Sequence, residues 1–594
     1  MTSKLEVTLL LLAMCVATRP ARSQNPAAAN DILETVAEQS KFKRTGRYDE
    51  VERLCKAYER KWPDAVRCSE FGRTPEGRPM FVLVASRTGA LTAAQARSRS
   101  LPVMLMQGGI HAGEIDGKDA GFLALRQMLE DKTTPGVLKS FVLVFVPVFN
   151  VDGHERFGRW NRPNQRGPEE MGWRTTAQNF NLNRDYTKAD APEMQAMLRL
   201  LGDWNPVLYV DLHVTNGAQF EHDVSNTLEP IYAGDPKLHP AGRALLAELN
   251  AALAAKGSLP VDFYPSFVDY ENPASGFAAG ASAPRFSTGY WPLRNRFALL
   301  VETHSWKDYP TRVRITHNTI VALAGMMANH GSAWQSLARD ADARAQKLAG
   351  QNIPIEYAAG PHVTMIDFRG YEYTRDSSSI SGGLVTRYDT TRPQVWRIPL
   401  RDSVVTKTLV RAPLAGYLVP ASQAGWLSEK LALHGIRFVR IKRAMTNVSV
   451  EAFRADSVSF GSAPYESHMR AVISGQWRDE RRSIAAGSLF VPISQPSARL
   501  IVALLEPRSQ DSFAAWGFFN SAFEAKEYME SYVTEEVAAE MLKNPAIAAE
   551  FRKRLEEPRF AESQAARLDF FYRRHPSYDE RLNLYPVYRT AIAP

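Results

Sequence analysis

Cysteine is scarce in this chain, which has three cysteines in 594 residues. One of them, Cys15, lies in an apolar stretch at the N-terminus, so that Cys55 and Cys68 remain for the rest of the chain. The sequence therefore allows at most one intrachain disulfide and excludes a fold that depends on many of them. A Cys55–Cys68 bond and two free, partly buried thiols both remain open, because a sequence does not give the distance between two Cα atoms.

Long apolar runs and blocks of like charge are also missing. Beyond the N-terminus no segment is apolar enough to cross a bilayer, so we expect no integral membrane segment once a leader is removed. The formal net charge is +8, but the Lys and Arg residues are dispersed. Dispersed charge indicates a solvated surface and no nucleic-acid partner. A modest attraction to anionic cell-wall or membrane material is the alternative.

The N-terminus has the features of a secretory signal. Lys4 supplies positive charge, residues 7–17 form a short apolar stretch, and Ala21-Arg22-Ser23 resembles a small-residue cleavage site before Gln24. We therefore predict that residues 1–23 are a signal peptide and that the mature protein is secreted or periplasmic.

The chain is too long for one ordinary hydrophobic core, so we expect more than one domain. Between about residues 45 and 325, apolar strand-like runs alternate with helical patterns, which is typical of an α/β architecture. Further along, short β-like runs over about 354–415 and 436–505, with a helix between them, predict an α+β region. We place a catalytic domain at 24–349 and a C-terminal region of unknown role at 350–594.

Polar residues follow three of the apolar runs of the first domain. They are His111 and Glu114 after residues 102–107, His213 after residues 207–210, and Glu302 after residues 297–301. Continuous apolar runs are typical of strands covered on both faces in a mainly parallel sheet, whose ligands bind beyond the carboxyl ends of the strands. One polar residue after a strand is usually a cap, but four of them at three strand ends predict a common site.

These donor types indicate a catalytic zinc site. His111 and Glu114 are separated by a short spacer, and a long spacer leads to His213. Two His and one Glu leave a coordination position open for water or substrate, which distinguishes a catalytic site from a closed structural one. Glu302 stands where a general base is expected. The sequence therefore predicts a hydrolase with one Zn²⁺ per chain.

Six motifs occur in order across about residues 45–330. They are Phe71-Gly72-Arg73-Thr74-Pro75-Glu76-Gly77-Arg78, Gly108-Gly109-Ile110-His111-Ala112-Gly113-Glu114, Asn150-Val151-Asp152-Gly153, Asn181-Leu182-Asn183-Arg184, Asp211-Leu212-His213, and Glu302. In the order and spacing of these motifs the chain resembles the zinc carboxypeptidases of the carboxypeptidase A/B type. Its length is similar to that of the large bacterial-type members of this family. Val151 replaces the usual Pro of the third motif. The resemblance implies an α/β fold with a mixed, mainly parallel sheet flanked by helices.

The resemblance also implies a role for each candidate residue. Zinc would be bound by His111, Glu114 and His213, the base would be Glu302, the oxyanion would be stabilised by Arg174, and the substrate's terminal carboxylate would be held by Asn183 and Arg184. Arg174 is preferred to Arg159 and Arg162 because its spacing to Asn183, with an Ala between them, is similar to that of the family's regulatory branch. The expected partner is a peptide with a free C-terminal carboxylate.

Two features of the family have no clear match. The mobile tyrosine that caps the substrate could be Tyr290 or Tyr270, and neither has the usual spacing to Glu302. The residue that sets the side-chain preference would fall near Ser287-Thr288, where no acidic residue is present. A preference for basic residues is therefore not supported.

Other functions remain open. An amidase that trims cell-wall peptides, or a deacylase that releases an acyl group from an amino acid, could use the same zinc site. A binding protein that keeps zinc without turnover is the non-enzyme alternative, and the intact Glu302 argues against it. The oligomeric state is left open.

Overall fold

The structure, a computed structural model, describes residues 33–594. The predicted signal peptide, residues 1–23, lies outside the described residues. Within residues 33–594, no helix combines the length and the apolar character needed to cross a membrane.

The described residues form both strands and helices. The strands are β1 (Val66–Arg73), β2 (Pro79–Ala85), β3 (Val103–Gly108), β4 (Val142–Val146), β5 (Leu208–Val214), β6 (Val224–Glu229), β7 (Pro260–Val261), β8 (Phe277–Ala278), β9 (Phe297–Thr303), β10 (Asn352–Ala359), β11 (Thr364–Ser377), β12 (Leu384–Arg401), β13 (Val404–Arg411), β14 (Gly416–Val419), β15 (Val439–Arg440), β16 (Met445–Phe460), β17 (Ala471–Ile484), β18 (Leu489–Pro492) and β19 (Tyr588–Thr590). The helices are α1 (Val36–Gln39), α2 (Tyr48–Lys61), α3 (Ala93–Ser98), α4 (Asp116–Leu129), α5 (Val151–Glu155), α6 (Pro192–Trp204), α7 (His239–Ala254), α8 (Ser287–Tyr290), α9 (Tyr309–Ala345), α10 (Ala421–Leu433), α11 (Ala498–Leu505), α12 (Ser531–Met541), α13 (Pro545–Leu555), α14 (Pro558–Ala561) and α15 (Gln564–Tyr572).

An eight-stranded sheet organises the first part of the chain, in the order β1-β2-β4-β3-β5-β9-β6-β7. Its centre, β4-β3-β5-β9, is parallel, while β1–β2, β2–β4 and β6–β9 pair antiparallel. Helices α2, α4, α6, α7 and α9 pack against its strands. This is the predicted α/β fold with a mixed, mainly parallel sheet.

The central strands lack polar alternation because both of their faces are covered. Every residue of β3, β4 and β5 is buried. Such strands are stabilised by apolar burial on two sides, so they appear in the sequence as continuous runs of Val, Leu, Met and Phe. Their carboxyl ends meet at one edge of the sheet, where the polar residues of the candidate site follow.

The C-terminal region is rich in β-structure. A long hairpin, β11–β12, pairs with β8 of the first part through Leu400 and Phe277. A six-stranded sheet has the order β15-β18-β14-β19-β16-β17. One hydrophobic core runs from the central sheet into this region and contains residues as distant in sequence as Val82 and Tyr585. A domain boundary near residue 350 stays a prediction, and the two regions pack together as one body.

The two cysteines of the described residues form a disulfide. Cys55 of α2 and Cys68 of β1 have their sulfur atoms 2.02 Å apart and their Cα atoms 5.3 Å apart. Of the two alternatives that the sequence left open, the structure has the disulfide.

Candidate active site and metal centre

Three neighbouring strands of the central sheet deliver the candidate residues. His111 and Glu114 lie in the loop between β3 and α4, which begins at Gly109 with a φ of +62°. A positive φ is readily adopted only by glycine, so Gly109 permits the sharp turn after β3. His213 and Glu302 lie within β5 and β9 and are partners in the parallel ladder. The two strands end one residue further on, at Val214 and Thr303, so both polar residues lie at strand ends, as the sequence predicted.

The three predicted metal ligands converge. Nδ1 of His111 lies 3.0 Å from Oε1 of Glu114, and Nδ1 of His213 lies 3.0 Å from Oε2 of the same carboxylate. One ligand atom from each residue falls within 4.8 Å of the others. Ligands bound at about 2.0–2.2 Å to a tetrahedral zinc ion are about 3.3 Å apart. Two imidazoles and one carboxylate at this spacing fit a small divalent cation.

Both histidines have their second ring nitrogen fixed by the protein. Nε2 of His111 lies 3.2 Å from Oδ1 of Asn181. Nε2 of His213 lies 2.9 Å from Oδ1 of Asp211, which is an ion-pair contact, without the alignment of a hydrogen bond. Asp211 also accepts a hydrogen bond from Ser287. Contacts of this kind orient metal-binding imidazoles so that Nδ1 faces the ion.

Glu114 is held in its charged form. Burial alone would raise its pKa, but the neighbouring Arg162 and His111 outweigh burial and hold the pKa well below its usual range. Arg162 contributes through an ion pair of 3.0 Å between Nη2 and Oε1 of Glu114. An ionised carboxylate is the form that binds a metal.

Glu302 is a buried carboxylate beside the three ligands. Its residue is 7% exposed, and its Oε2 has no hydrogen-bond partner within residues 33–594. Burial raises the pKa of Glu302 to about 8, an effect that His213 opposes and Glu114 reinforces. A cation at the three ligands would lower this pKa, because a nearby positive charge favours the carboxylate.

A cavity of about 420 Å³ opens in front of these groups. Its lining includes His111, Glu302, Arg174, Asn183, Arg184, Tyr264, Phe286, Ser287 and Thr288. Asn183 and Arg184 stand on a 3₁₀ turn, Leu182–Arg184. The predicted catalytic and carboxylate-binding residues therefore share one cavity with His111, one of the three candidate metal ligands.

The two candidate arginines lie in different places. Arg174 lines the cavity and approaches Glu114 at 3.5 Å. Arg162 is buried behind Glu114, where it also donates to Asn216. Arg174 is therefore the one of the two whose guanidinium borders the space available to a substrate.

Neither tyrosine named from the sequence lines the cavity. Tyr290 is fully buried, and its hydroxyl is hydrogen-bonded to His434. Tyr270 is 84% exposed. The cavity is lined by Tyr264, which the sequence analysis missed. Tyr264 follows the two-residue strand β7, in a segment without a periodic pattern that could have indicated its position.

Two carboxylates line the cavity from outside the Ser287-Thr288 segment. Glu229 accepts the backbone N–H groups of Ile231, Tyr232 and Ala233, and burial raises its pKa to about 7. Asp262 lines the cavity without an ion-pair partner within residues 33–594. No motif in the sequence indicated that Glu229 or Asp262 lies at the cavity.

The chain is similar in sequence to known carboxypeptidases. The family model described as zinc carboxypeptidase matches residues 51–232. A carboxypeptidase 2 from Trichophyton tonsurans is 23% identical over 468 residues, which cover 75% of this chain and 79% of the relative. A carboxypeptidase B from Helicoverpa zea is 30% identical over 114 residues, 18% of this chain and 25% of the relative.

Among solved structures, the chain is similar to a carboxypeptidase A from Helicoverpa armigera. The two are 18% identical with a TM-score of 0.35, and the match covers 54% of this chain and 79% of that one. A putative carboxypeptidase A from Shewanella denitrificans has 16% identity, a TM-score of 0.35, and coverage of 48% and 69%. The match of residues 51–232 and the carboxypeptidase relatives over three quarters of the chain support the assignment of this protein to the zinc carboxypeptidases, as a metallocarboxypeptidase.

Proposed function

We propose that the protein is an exported zinc-dependent exopeptidase that hydrolyses the C-terminal peptide bond of peptides. The observation that supports this proposal most strongly is the set of residues that line one cavity. The metal ligand His111, the base candidate Glu302 and the carboxylate-binding candidates Asn183 and Arg184 all line it.

The metal would be one zinc ion, held by His111, Glu114 and His213. Bound zinc supplies a Lewis acid that polarises a carbonyl and brings the pKa of water close to neutrality. The chain's part is to direct Nδ1 of the two imidazoles toward the ion and to keep the carboxylate ionised. Asn181 and Arg162 support this through their contacts with His111 and Glu114.

Glu302 acts as the general base. Its partnerless Oε2 is free to accept a proton from the attacking water, and its burial makes the neutral, protonated form accessible. After the carbonyl has been attacked, the same carboxyl passes the proton to the departing amine. Burial in the cavity wall limits exchange of that proton with bulk water.

Arg174 stabilises the negative charge that develops on the carbonyl oxygen. Its guanidinium lines the cavity and is 3.5 Å from Glu114, so it is near the position where the scissile carbonyl must lie. A preorganised positive charge at that position is more effective in a water-poor cavity than in solution.

Asn183 and Arg184 hold the free carboxylate of the substrate. The planar fork of an arginine pairs with a carboxylate through two parallel hydrogen bonds. Because a free α-carboxylate exists only at the C-terminal residue of a peptide, its capture places the last peptide bond in front of Glu302. This arrangement accounts for an exopeptidase and does not require an extended cleft.

The test compares free-acid peptides with the same peptides amidated at the C-terminus. Removing the substrate's charge leaves Arg184 without its partner, which costs on the order of 2–5 kcal/mol. We expect kcat/KM for amides to be about 30- to 5,000-fold lower. Equal cleavage of both forms would overturn the exopeptidase proposal in favour of the amidase alternative. Turnover restricted to N-acyl amino acids would indicate the deacylase.

Export is supported by the Cys55–Cys68 disulfide, because disulfides persist in oxidising compartments outside the cytoplasm. The same peptide panel addresses the side-chain preference. Asp262 offers a negative charge to a substrate side chain, so peptides ending in Lys and in Leu should be included.

A further inference from the structure

A loop of the C-terminal region reaches the residues proposed to hold the substrate's carboxylate. This tip loop, residues 461–470, joins β16 and β17. The hydroxyl of Tyr465 accepts a hydrogen bond from Nε of Arg184 at 3.2 Å. The carboxylate of Glu466 accepts one from the backbone N–H of Asn181 at 3.4 Å. The tip loop thus contacts the 3₁₀ turn that presents Arg184 to the cavity.

The guanidinium of Arg184 is held from several sides. Its Nη1 donates to the carbonyl of Asn183 at 2.8 Å, and its carbon lies 4.3 Å from the ring centre of Phe286. Tyr465 takes the Nε–H, so a carboxylate must approach the outer edge of the fork, formed by Nη1 and Nη2. Within residues 33–594, Nη2 has no hydrogen-bond partner.

The C-terminal region also fixes the segment that carries the aromatic ring beside this guanidinium. Asp511 accepts two hydrogen bonds from Arg285, from the backbone N–H at 2.9 Å and from Nη1 at 2.7 Å. Arg285 immediately precedes Phe286, whose ring lies against Arg184. The buried Asp511 therefore ties down the chain beside the aromatic face, just as Tyr465 ties down Nε.

The tip loop is itself rigidly built. Tyr465 and His468 exchange backbone hydrogen bonds of 2.9 and 3.1 Å around a tight turn, whose central residues Glu466 and Ser467 have positive φ. Residues other than glycine adopt such φ values rarely, and they persist where the surroundings impose them. His468 pairs with Asp190 at 2.7 Å, which connects the turn to the catalytic domain.

The ring of Tyr465 is also supported. It stacks on Trp516 with a centre-to-centre distance of 6.0 Å and an angle of 9° between the planes. The indole N–H of Trp516 donates to Thr187 of the catalytic domain at 3.1 Å. The hydroxyl of Tyr465 is therefore presented to Arg184 from a fixed ring.

We propose that the C-terminal region is part of the substrate-binding apparatus, and that Tyr465 is a positioning residue that holds Arg184 ready for the substrate's terminal carboxylate. The inference rests on the proposed exopeptidase function. A long, flexible arginine loses side-chain entropy when it captures a ligand, and a partner that fixes it beforehand reduces that loss. Tyr465 supplies this partner from a part of the chain more than 250 residues away in sequence.

The test is Tyr465→Phe in the full-length, zinc-loaded protein, because this variant keeps the stacked ring and removes only the hydroxyl. We expect KM for free-acid peptides to rise about 3- to 10-fold, with kcat within about twofold of wild type. The slow turnover of amidated peptides should not change. Tyr532→Phe is the matched control, since Tyr532 is an exposed tyrosine elsewhere in the C-terminal region.

An Arg184→Ala background separates positioning from a general structural effect. There, adding Tyr465→Phe should have no further effect on free-acid peptides, while the thermal unfolding midpoint stays unchanged. An unchanged KM, an equal effect on acids and amides, or an effect that persists without Arg184 would each overturn the inference. If wild type itself fails to distinguish acids from amides, the proposed function falls and the inference with it. If wild type distinguishes them and Tyr465→Phe does so equally well, only the inference falls.

Discussion

Replacing Glu302 by Gln tests the chemistry of the site most directly. The change keeps the size and shape of the side chain, and the backbone pairing of Glu302 with His213 across β5 and β9 does not depend on the carboxylate. An amide nitrogen or oxygen cannot take the proton of the attacking water. The proposed metal ligands are His111, Glu114 and His213, so the zinc content should be unaffected.

The size of the effect follows from the role. General-base catalysis contributes about 10²–10⁴-fold, which is about 3–5.5 kcal/mol of transition-state stabilisation. Glu302 is 7% exposed, and its Oε2 has no hydrogen-bond partner within the described residues, so this oxygen is available to the attacking water. We therefore expect kcat to fall by at least about 100-fold, with KM little changed.

The assay needs a control for the loss of a buried carboxylate. Glu193 on α6 is suitable, because it is fully buried, both of its carboxylate oxygens lack partners within residues 33–594, and it does not line the cavity. Kinetics on a free-acid peptide, zinc analysis and thermal unfolding should be measured for Glu302→Gln and Glu193→Gln. Glu193→Gln should keep wild-type kcat near neutral pH.

A Glu302→Gln protein with full zinc and near-normal kcat would refute the assignment of the base. His304 would then be the next residue to examine, although it is buried and stacks on Phe220. A variant that loses zinc together with activity would instead show that Glu302 contributes to metal binding.

Three further predictions concern the metal, pH and export. His111→Ala should bind little zinc by elemental analysis, and full retention would show that the ligand set is wrong. Burial raises the pKa of Glu193 from 4.5 to about 7, so the folded state keeps a proton that the unfolded chain releases, and stability falls as pH rises between these values. Between pH 4.5 and 7, the free energy of unfolding measured in urea should therefore fall by about 2 kcal/mol less for Glu193→Gln than for wild type. Parallel plots of this free energy against pH for the two proteins would contradict the prediction. The intact mass of the exported protein should correspond to a chain that begins at Gln24, and a mass that includes residues 1–23 would exclude cleavage there.

The sheet could be predicted because its central strands have a distinctive composition. Continuous apolar runs in β3, β5 and β9 identify strands buried on both faces, and polar residues after them meet at one edge. This pattern predicts, from the sequence alone, that His111, Glu114, His213 and Glu302 lie together at that edge. The apolar runs stop before His213 and Glu302, and ladder pairing carries β5 and β9 through these two residues.

One buried helix was mistaken for β-structure. The sequence of α11, Ala-Arg-Leu-Ile-Val-Ala-Leu-Leu, lies in a segment predicted to be β-like, and all eight of its residues are buried. An element that is apolar on every side has no periodic signal, so a short buried helix and a buried strand have similar sequences.

Residues that join the site from a distance could not be predicted at all. Tyr264 lies in an irregular segment, and Tyr465 and Asp511 approach Arg184 and Arg285 only after the C-terminal region has packed against the first part of the chain. Local patterns carry no information about such contacts. The role proposed for residues 350–594 therefore rests on contacts of the folded molecule and not on sequence patterns.

Substitutions in the shared core and substitutions in the tip loop should have different consequences. The metal ligands and Glu302 sit on buried strands and the turn after β3, where most substitutions would disturb packing. The tip loop sits on a hairpin whose surface is largely exposed, and loops tolerate variation better than the elements that support them. If the proposed role of Tyr465 holds, substitutions in the tip loop should change the affinity for substrate and leave the proposed metal ligands and Glu302 unaltered. A form cut at residue 350 would lose that adjustable part and would expose the apolar surface that the two regions now bury together.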